Sequence, residues 1–268
     1  MPGTVSKWLP DDLWERVHPL LPKPRRRRSR YPGRKPLHDR AVLTGIIFVL
    51  RTGIPWREMP AELGCGSGMT CLRRLKRWHR NGVFQKLYEV LLAELHGADK
   101  LDWSRALVDS ATTKAPSGGE KTGPNPTDRR KLGSKVHVLV DAKGIPLAIQ
   151  VSGANTHDVT QVIPLVDGVP KVRGKKGRPR QRPDRLQGDR GYDSEPLRDQ
   201  LRRRGIEPQL AKRRTEHGSG LGKTRWYVER TLAWFKRYGK IRIRTERRAE
   251  NYEALLKLAA CLICHRNL

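Results

Sequence analysis

Three acidic residues are the strongest candidates for catalytic groups in a chain that is poor in acids. Asp109 closes a short apolar run (RALVDS), Asp189 follows a second run (RLQGD), and Glu229 lies within a long helical segment (RWYVERTLAWFK). At about 100° per residue, Glu229 shares a narrow helix sector with Arg225 and Lys236, at the border of the apolar face. Two carboxylates at strand ends and one from a helix packed beside them could converge on Mg²⁺, which prefers oxygen ligands.

Such a site supports phosphoryl transfer on nucleic acid. One metal ion lowers the pKa of an attacking water or 3′-hydroxyl, and a second ion, about 3.5–4 Å away, stabilises the departing oxygen. On this interpretation Asp109, Asp189 and Glu229 are both catalytic groups and ligands of two Mg²⁺ ions, with Mn²⁺ as a substitute. Arg225 and Lys236 then bind phosphate or orient the glutamate. The structural alternative is that each Asp is a turn residue and that Glu229 only pairs with Arg225 along its helix.

The chain from residue 101 onward predicts a sheet that could position these acids. Residue periodicity and turn signals indicate the order strand, strand, strand, helix, strand, helix, strand, helix, followed by a last helix. The predicted strands are 105–110, 134–141, 146–151, 185–189 and 206–210, and the predicted helices are 159–166, 195–204, 224–238 and 251–268. The Pro within 206–210 favours a sheet edge. This order resembles the ribonuclease H-like fold, a mixed sheet with helices on both faces, and predicts an α/β catalytic domain over 101–268.

Residues 1–100 predict a separate, all-α domain. Helices are expected to open at Asp11 and at Asp39, and two more to span 69–81 and 83–95. A short helix, a turn and a strongly cationic helix are typical of a helix-turn-helix module, in which the cations of 69–81 would face DNA. Those cations are Arg73, Arg74, Arg77 and Arg80. The alternative is an ordinary amphipathic helix with a charged outer face.

The charge balance indicates a polyanionic partner. The 268 residues contain 56 Lys and Arg against 27 Asp and Glu, a formal net charge of +29. A neutral metabolic enzyme has no reason to carry so much self-repulsion, whereas a protein that works on nucleic acid does. Basic runs occur at 25–30, 171–182 and 211–224, and the second run supplies four further predicted DNA contacts, Lys175, Lys176, Arg178 and Arg180. Each run taken alone could instead be a solvated loop.

Four cysteines without a disulfide-like framework indicate a reducing compartment. The apolar stretch 41–50 is about half the length of a membrane span, and the first residues show no signal peptide, so a cytoplasmic protein without membrane contact is expected. Cys261 and Cys264, followed by His265, fit a haem-attachment or metal pattern. They end an apolar helix, and the sequence has no second CxxC motif to complete a zinc site. They are therefore predicted to be core residues, as are the loosely spaced Cys65 and Cys71.

The motifs resemble those of insertion-sequence transposases of the DDE type, in the five family (IS-five-like). The segments GRKPLHDRAVLTGIIFVLRTGIPWREMP and RRLKRWHRNGVFQKL are similar to the family's N-terminal part. LVDSATTKA, LQGDRGYDS and RWYVERTLAWFKR correspond to its three acid blocks, and GANTHD and GRPRQRPD also match. Arg225, Glu229 and Lys236 keep the spacing of the family's last block, but Gly222 stands where that block has Tyr.

The resemblance implies an enzyme that binds the terminal inverted repeats of its own element. It would hydrolyse phosphodiester bonds to release 3′-hydroxyls and join these to double-stranded target DNA by direct transesterification, as at least a dimer on DNA because two ends must be paired. Asn155, His157 and Asp158 follow the third predicted strand, and together with Tyr192 they are expected to flank the site; the alternative is that the first three form only a polar turn. Two other functions stay open: a metal-dependent nuclease without strand joining, and a non-catalytic nucleic-acid-binding protein.

Overall fold

A mixed β-sheet carries the candidate acids. The computed structural model describes residues 8–23, 30, 35–214 and 222–268; most of the basic run 25–30 and part of the run 211–224 lie outside them. In these ranges six strands form one sheet. They are β1 (Ala106–Lys114), β2 (Gly123–Pro124), β3 (Leu132–Asp141), β4 (Pro146–Gly153), β5 (Arg185–Gly188) and β6 (Glu207–Leu210).

The strand order confirms the predicted ribonuclease H-like sheet. The order across the sheet is β4, β3, β1, β5, β6, and the two-residue β2, which the sequence did not predict, pairs with the start of β3. The β4–β3 and β3–β1 pairs are antiparallel, whereas the β1–β5 and β5–β6 pairs are parallel. As predicted, β6 lies at an edge, where Pro208 removes no ladder hydrogen bond from a central strand.

One prediction about β1 is wrong. Asp109 does not close the strand, because β1 continues to Lys114 and pairs with β3 along that whole length, from Ala106 opposite Asp141 to Lys114 opposite Gly133. The polar run after Asp109 suggested an end. Its Thr112 and Thr113 are nevertheless β-branched residues that favour extended backbone.

Apart from the one-turn helix Gly239–Arg242, which the sequence did not predict, the helices follow their sequence signals closely. They are α1 (Asp11–Val17), α2 (Asp39–Thr52), α3 (Gly68–Arg80), α4 (Val83–Gly97), α5 (Val159–Asp167), α6 (Glu195–Arg202), α7 (Gly222–Lys236), α8 (Gly239–Arg242) and α9 (Ala249–Arg266). Gly53 ends α2 in the left-handed region at φ 82°, where glycine carries no steric penalty. The hydroxyls of Ser67 and Ser194 accept from backbone N–H groups of α3 and α6, respectively.

The N-terminal helices and the half that contains the sheet share a continuous apolar core. Helix α4 packs on α9, and α2 packs on α8. At Gly239 a Cβ atom would lie 2.6 Å from the Gly53 nitrogen, so this crossing requires glycine. Next to it, the buried Lys240 ammonium lies 3.3 Å from a Glu246 carboxylate that also accepts from the Trp56 indole. The predicted boundary near residue 100 therefore falls between two halves that pack closely.

Two further expectations from the sequence concern the cysteines and membrane-spanning helices. The four cysteines are buried free thiols, which confirms their prediction as core residues; burial raises the pKa of Cys71 and of Cys261 to about 12. Among the described helices, none is both long enough and apolar enough to cross a bilayer.

Candidate active site

The three acids meet around one guanidinium. The Arg225 Nε atom lies 3.0 Å from Glu229 Oε1, its Nη1 atom 3.2 Å from Asp189 Oδ2, and its Nη2 atom 3.7 Å from Asp109 Oδ2. Each nitrogen of the planar group thus faces a different carboxylate. The residues that the sequence singled out from three separate segments are brought into one cluster.

The sheet register explains why the two aspartates are neighbours. β1 and β5 run parallel with Ala106 opposite Leu186, and Asp109 and Asp189 each follow these partners by three residues. Parallel strands keep such positions level with each other. Asp189 lies just beyond β5, where its carboxylate accepts from the backbone N–H of Gly191 at 2.8 Å.

Contacts with the sheet position the third acid. The Thr224 hydroxyl donates to the Gln187 side chain of β5 at 2.9 Å, at the start of α7. One turn beyond Tyr227, the Thr231 hydroxyl donates to the Gly144 carbonyl in the β3–β4 turn at 2.6 Å. Between these two anchors, Arg225 and Glu229 project from α7 toward Asp109 within β1 and Asp189 just beyond β5.

Burial makes Asp109 the most perturbed of the three acids. Its side chain is 16% exposed, against 56% for Glu229. This burial raises the pKa of Asp109 to about 6, and the negative charges of Asp189 and Glu229 act in the same direction. The backbone N–H of Ser110, which donates to the Asp109 carboxylate at 2.8 Å, and Arg225 oppose the rise. Because burial and the neighbouring negative charges disfavour the ionised form of Asp109, a cation bound beside this carboxylate would stabilise it.

A second polar network adjoins the acids on the other face of the sheet. Ser110 and Asp109 are consecutive in β1, so their side chains point to opposite faces. The Ser110 hydroxyl donates to Asp158 at 2.7 Å, and the Lys135 ammonium lies 3.2 Å from the same carboxylate. His137 lies 3.5 Å from Asp158, and burial lowers the pKa of its imidazole to about 4. Asp158 is therefore hydrogen-bonded to Ser110, the residue next to Asp109 in β1.

The other predicted flanking residues lie around this network. Asn155, His157 and Asp158 line a polar cavity of about 290 Å³ that Lys135 and Gly191 also border. Tyr192 is buried beside the acids, and this burial raises the pKa of its phenol. Sequence reasoning missed Ser110 and Lys135. The alternation in SKVHVLVD places Lys135 and His137 on one face, and this was the signal that could have found Lys135.

The predicted DNA contacts divide into two groups. One group forms ion pairs within the chain: Arg74 with Asp39, Arg80 with Glu250, Arg180 with Asp184, and Lys175 with Asp99. The other group consists of exposed cations with no ion pair to a described acid: Arg73, Arg77, Lys176, Arg178 and Lys236. Of the two cations predicted beside Glu229, Arg225 makes the ion pair in the described part of the chain and Lys236 does not.

The donor set fits a divalent cation. Within the described ranges no three His, Cys, Asp or Glu side chains are grouped as a ready-made metal site; Arg225 lies between the three acids. Their oxygens nevertheless already converge on one positive charge. Hard cations such as Mg²⁺ prefer carboxylate oxygens, so Asp109, Asp189 and Glu229 have the right chemistry to hold one.

A ribonuclease H-like sheet with an aspartate in β1, an aspartate just after β5 and a glutamate from the helix packed beside them is typical of the DDE class of enzymes. The family model described as "Transposase DDE domain" matches residues 103–264, and the model described as "Putative transposase of IS4/5 family" matches residues 9–88. The chain therefore belongs to the DDE transposases of the IS4/5 family, enzymes that catalyse DNA transposition with divalent metal ions.

Similar proteins support this assignment. The chain is 56% identical over 174 residues to the "Putative transposase for insertion sequence element IS402" of Burkholderia cepacia, covering 64% of this chain and 81% of that protein. A 16.2 kDa uncharacterized protein of the same element is 54% identical over 116 residues, covering 43% of this chain and 79% of that protein. The transposase for element IS1106 of Neisseria meningitidis serogroup B is 27% identical over 140 residues, covering 48% and 43%.

Proposed function

We propose that this transposase binds the terminal inverted repeats of its own insertion sequence, cleaves there and joins the released ends to target DNA. The observation that carries the proposal is the convergence of Asp109, Asp189 and Glu229 on one cation. A non-catalytic nucleic-acid-binding protein has no use for three acids so placed in a chain of net charge +29. Mutual repulsion and burial make the cluster costly.

The chemistry consists of two displacements at phosphorus. In the first, a water oxygen bonds to phosphorus while the bond to the 3′-oxygen breaks, which leaves a 3′-hydroxyl and a 5′-phosphate. In the second, that 3′-hydroxyl attacks a target phosphodiester and a new 3′-oxygen departs. Mg²⁺, with Mn²⁺ as a substitute, would supply the charge that activates the attacking oxygen and stabilises the departing one. Asp109, Asp189 and Glu229 would hold two such ions.

The remaining residues would bind DNA and maintain the site. Arg225 and Lys236 lie on the acid-bearing side of α7 and would bind phosphate. The basic segment with Lys175, Lys176, Arg178 and Arg180 would follow the DNA backbone. The Asp158 network, with Asn155, His157 and Tyr192, would support β1 from the opposite face. Helix α3 would recognise the repeats through Arg73, Arg74, Arg77 and Arg80, and two protomers would pair the two ends.

A strand-transfer assay tests the proposal. The substrate is a pre-cut element end with Mg²⁺, and the variants are Asp109→Asn and Glu229→Gln. Asp199→Asn, which removes an exposed acid of α6 whose one ion pair among the described residues is with Arg202, is the matched control. Wild type and control should give joined products, and the two site variants none, while all four proteins retain DNA binding. Equal joining by a site variant would refute the assigned site.

Cleavage of an uncut substrate and a DNA-binding comparison separate the alternative functions. Cleaved but unjoined DNA from an uncut substrate would identify a nuclease without strand transfer. Equal binding to random DNA and to element ends would remove the proposed repeat recognition by α3. Each phosphate neutralised on duplex DNA should contribute about 0.9 to the slope of log affinity against log salt, so the assays are compared at one salt concentration.

A further inference from the structure

One guanidinium contacts all three acids of the proposed metal site. The carboxylate oxygens that face it are Asp109 Oδ2, Asp189 Oδ2 and Glu229 Oε1, at 3.0–3.7 Å from its three nitrogens. We propose that Arg225 is a positioning residue that competes with divalent cations for these oxygens, and that it releases the acids when a cation binds. This inference rests on the proposed function, because it takes the three acids as the metal ligands.

The competition follows from charge and geometry. A guanidinium carries five donors in a rigid plane and cannot lose its proton in a protein. While it lies among the three carboxylates, it takes up the lone pairs that a metal ion would need and repels that ion. It also holds the acids together, since Asp109 comes from within β1, Asp189 from just beyond the parallel strand β5 and Glu229 from helix α7. Without a central cation the three negative charges would repel one another.

Release of Arg225 is sterically open. Its side chain is 45% exposed and those of Asp189 and Glu229 are 35% and 56% exposed, so the guanidinium can swing outward by side-chain rotation without moving α7. After release it remains anchored on α7 one turn before Glu229, next to the three acids. There its planar fork suits bidentate contact with a phosphate. The same residue would thus assemble the acids first and bind DNA afterwards.

Metal binding by the full-length protein without DNA tests this inference. The variants are Arg225→Gln and Arg225→Lys, and the matched control is Arg237→Gln, which removes the same charge just beyond α7. Mn²⁺ binding is measured by electron paramagnetic resonance, and melting temperature is measured with EDTA and with Mn²⁺. Arg225→Gln should bind Mn²⁺ about fivefold or more tightly than wild type, the lower end of usual coupling between two ligands. It should also melt about 2 °C lower in EDTA.

Arg225→Lys keeps the charge but cannot reach three carboxylates with one fork. Its Mn²⁺ affinity should lie between those of wild type and Arg225→Gln, and it carries the test if the Gln variant does not fold. The inference is overturned if Arg225→Gln binds Mn²⁺ no more tightly than wild type, or if Arg237→Gln tightens binding equally.

Asp109→Asn and Glu229→Gln separate this inference from the proposed function. If neither variant weakens Mn²⁺ binding, the acids are not the metal site, and the proposed function fails together with the inference. If both variants weaken Mn²⁺ binding while the Arg225 variants leave it unchanged, the inference alone fails.

Discussion

Replacing Asp109 with Asn should abolish activity and, without metal, make the protein more stable at alkaline pH. Burial raises the pKa of Asp109 from 3.8 to about 6 in the folded protein. Between these values the folded state binds the proton more tightly than the unfolded state does. Stability is therefore lost as pH rises through this window, in contrast to the usual acid with a lowered pKa. Asn resembles the protonated acid in size and charge, and it can still accept from the Ser110 N–H.

The expected gain follows from the size of the shift. The rise of the Asp109 pKa from 3.8 to about 6 corresponds to about 3 kcal/mol when both states are ionised. Roughly half of this is already lost at pH 5, and the rest is lost between pH 5 and pH 8. The stability advantage of Asp109→Asn over wild type should therefore grow by about 1 kcal/mol across that range.

Urea denaturation in EDTA at pH 5 and at pH 8 measures this advantage, with the exposed-acid variant Asp199→Asn as the control. In excess Mg²⁺ the advantage should shrink, because a ligand that binds only the folded wild type adds about 2.7 kcal/mol at one hundred times its Kd. If the Asn variant is destabilised at pH 8, or if its advantage is the same at both pH values, the electrostatic account of Asp109 is refuted.

Two further predictions concern buried charges. Glu246→Gln leaves the Lys240 ammonium, which is 2% exposed, without its carboxylate, and should lower the free energy of unfolding by about 3–5 kcal/mol. Adding Lys240→Met should recover most of this loss. A loss below about 1 kcal/mol in the single variant would contradict the account. Burial lowers the pKa of His137 from 6.5 to about 4. As the pH drops from 6.5 to 4, the unfolded state is therefore protonated first, and the stability of the folded state falls by about 3 kcal/mol in all. His137→Gln should flatten that fall in urea midpoints between pH 7 and 4.5, and an unchanged profile would contradict the assignment.

The positions of the three acids could be predicted because they depend on regular features. Parallel pairing of β1 and β5 makes Asp109 and Asp189 neighbours. Helix periodicity places Arg225 and Glu229, which are four residues apart, on the same side of the helix. Both rules need only the sequence pattern. The continuation of β1 beyond Asp109 could not be predicted in the same way, because it depends on pairing with β3 rather than on local hydrophobicity.

The Arg225 contacts and the Asp158 network could not be predicted from the sequence. The Arg225 contacts require the rotamer of one side chain relative to carboxylates that lie 36 and 116 residues earlier in the chain. The Ser110–Asp158 bond requires the register of β1 and the path of the loop after β4. Local patterns define elements, but side-chain contacts between distant segments are decided by packing.

The excess of cations in the sequence serves more than one purpose. Arg244 is fully buried, where it donates to the Glu120 and Lys121 carbonyls and to the Ser134 hydroxyl. This side chain ties β3, the segment before β2 and the chain after α8 together, and it cannot reach DNA. Lys240 is equally buried. Such cations add to the net charge of +29 without adding phosphate contacts.

The charge available for DNA is therefore set by position rather than by count. Cations such as Arg80 and Arg204 pair with acids of other elements, and a phosphate must outcompete those acids before it gains a contact. Exposed cations such as Arg77 and Lys176 have no such competitor among the described residues. Since each neutralised phosphate contributes about 0.9 to the salt slope, the slope of binding should follow the number of these uncommitted cations near DNA. The net charge indicates the class of partner. The pattern of ion pairs within the chain determines how strongly salt weakens DNA binding.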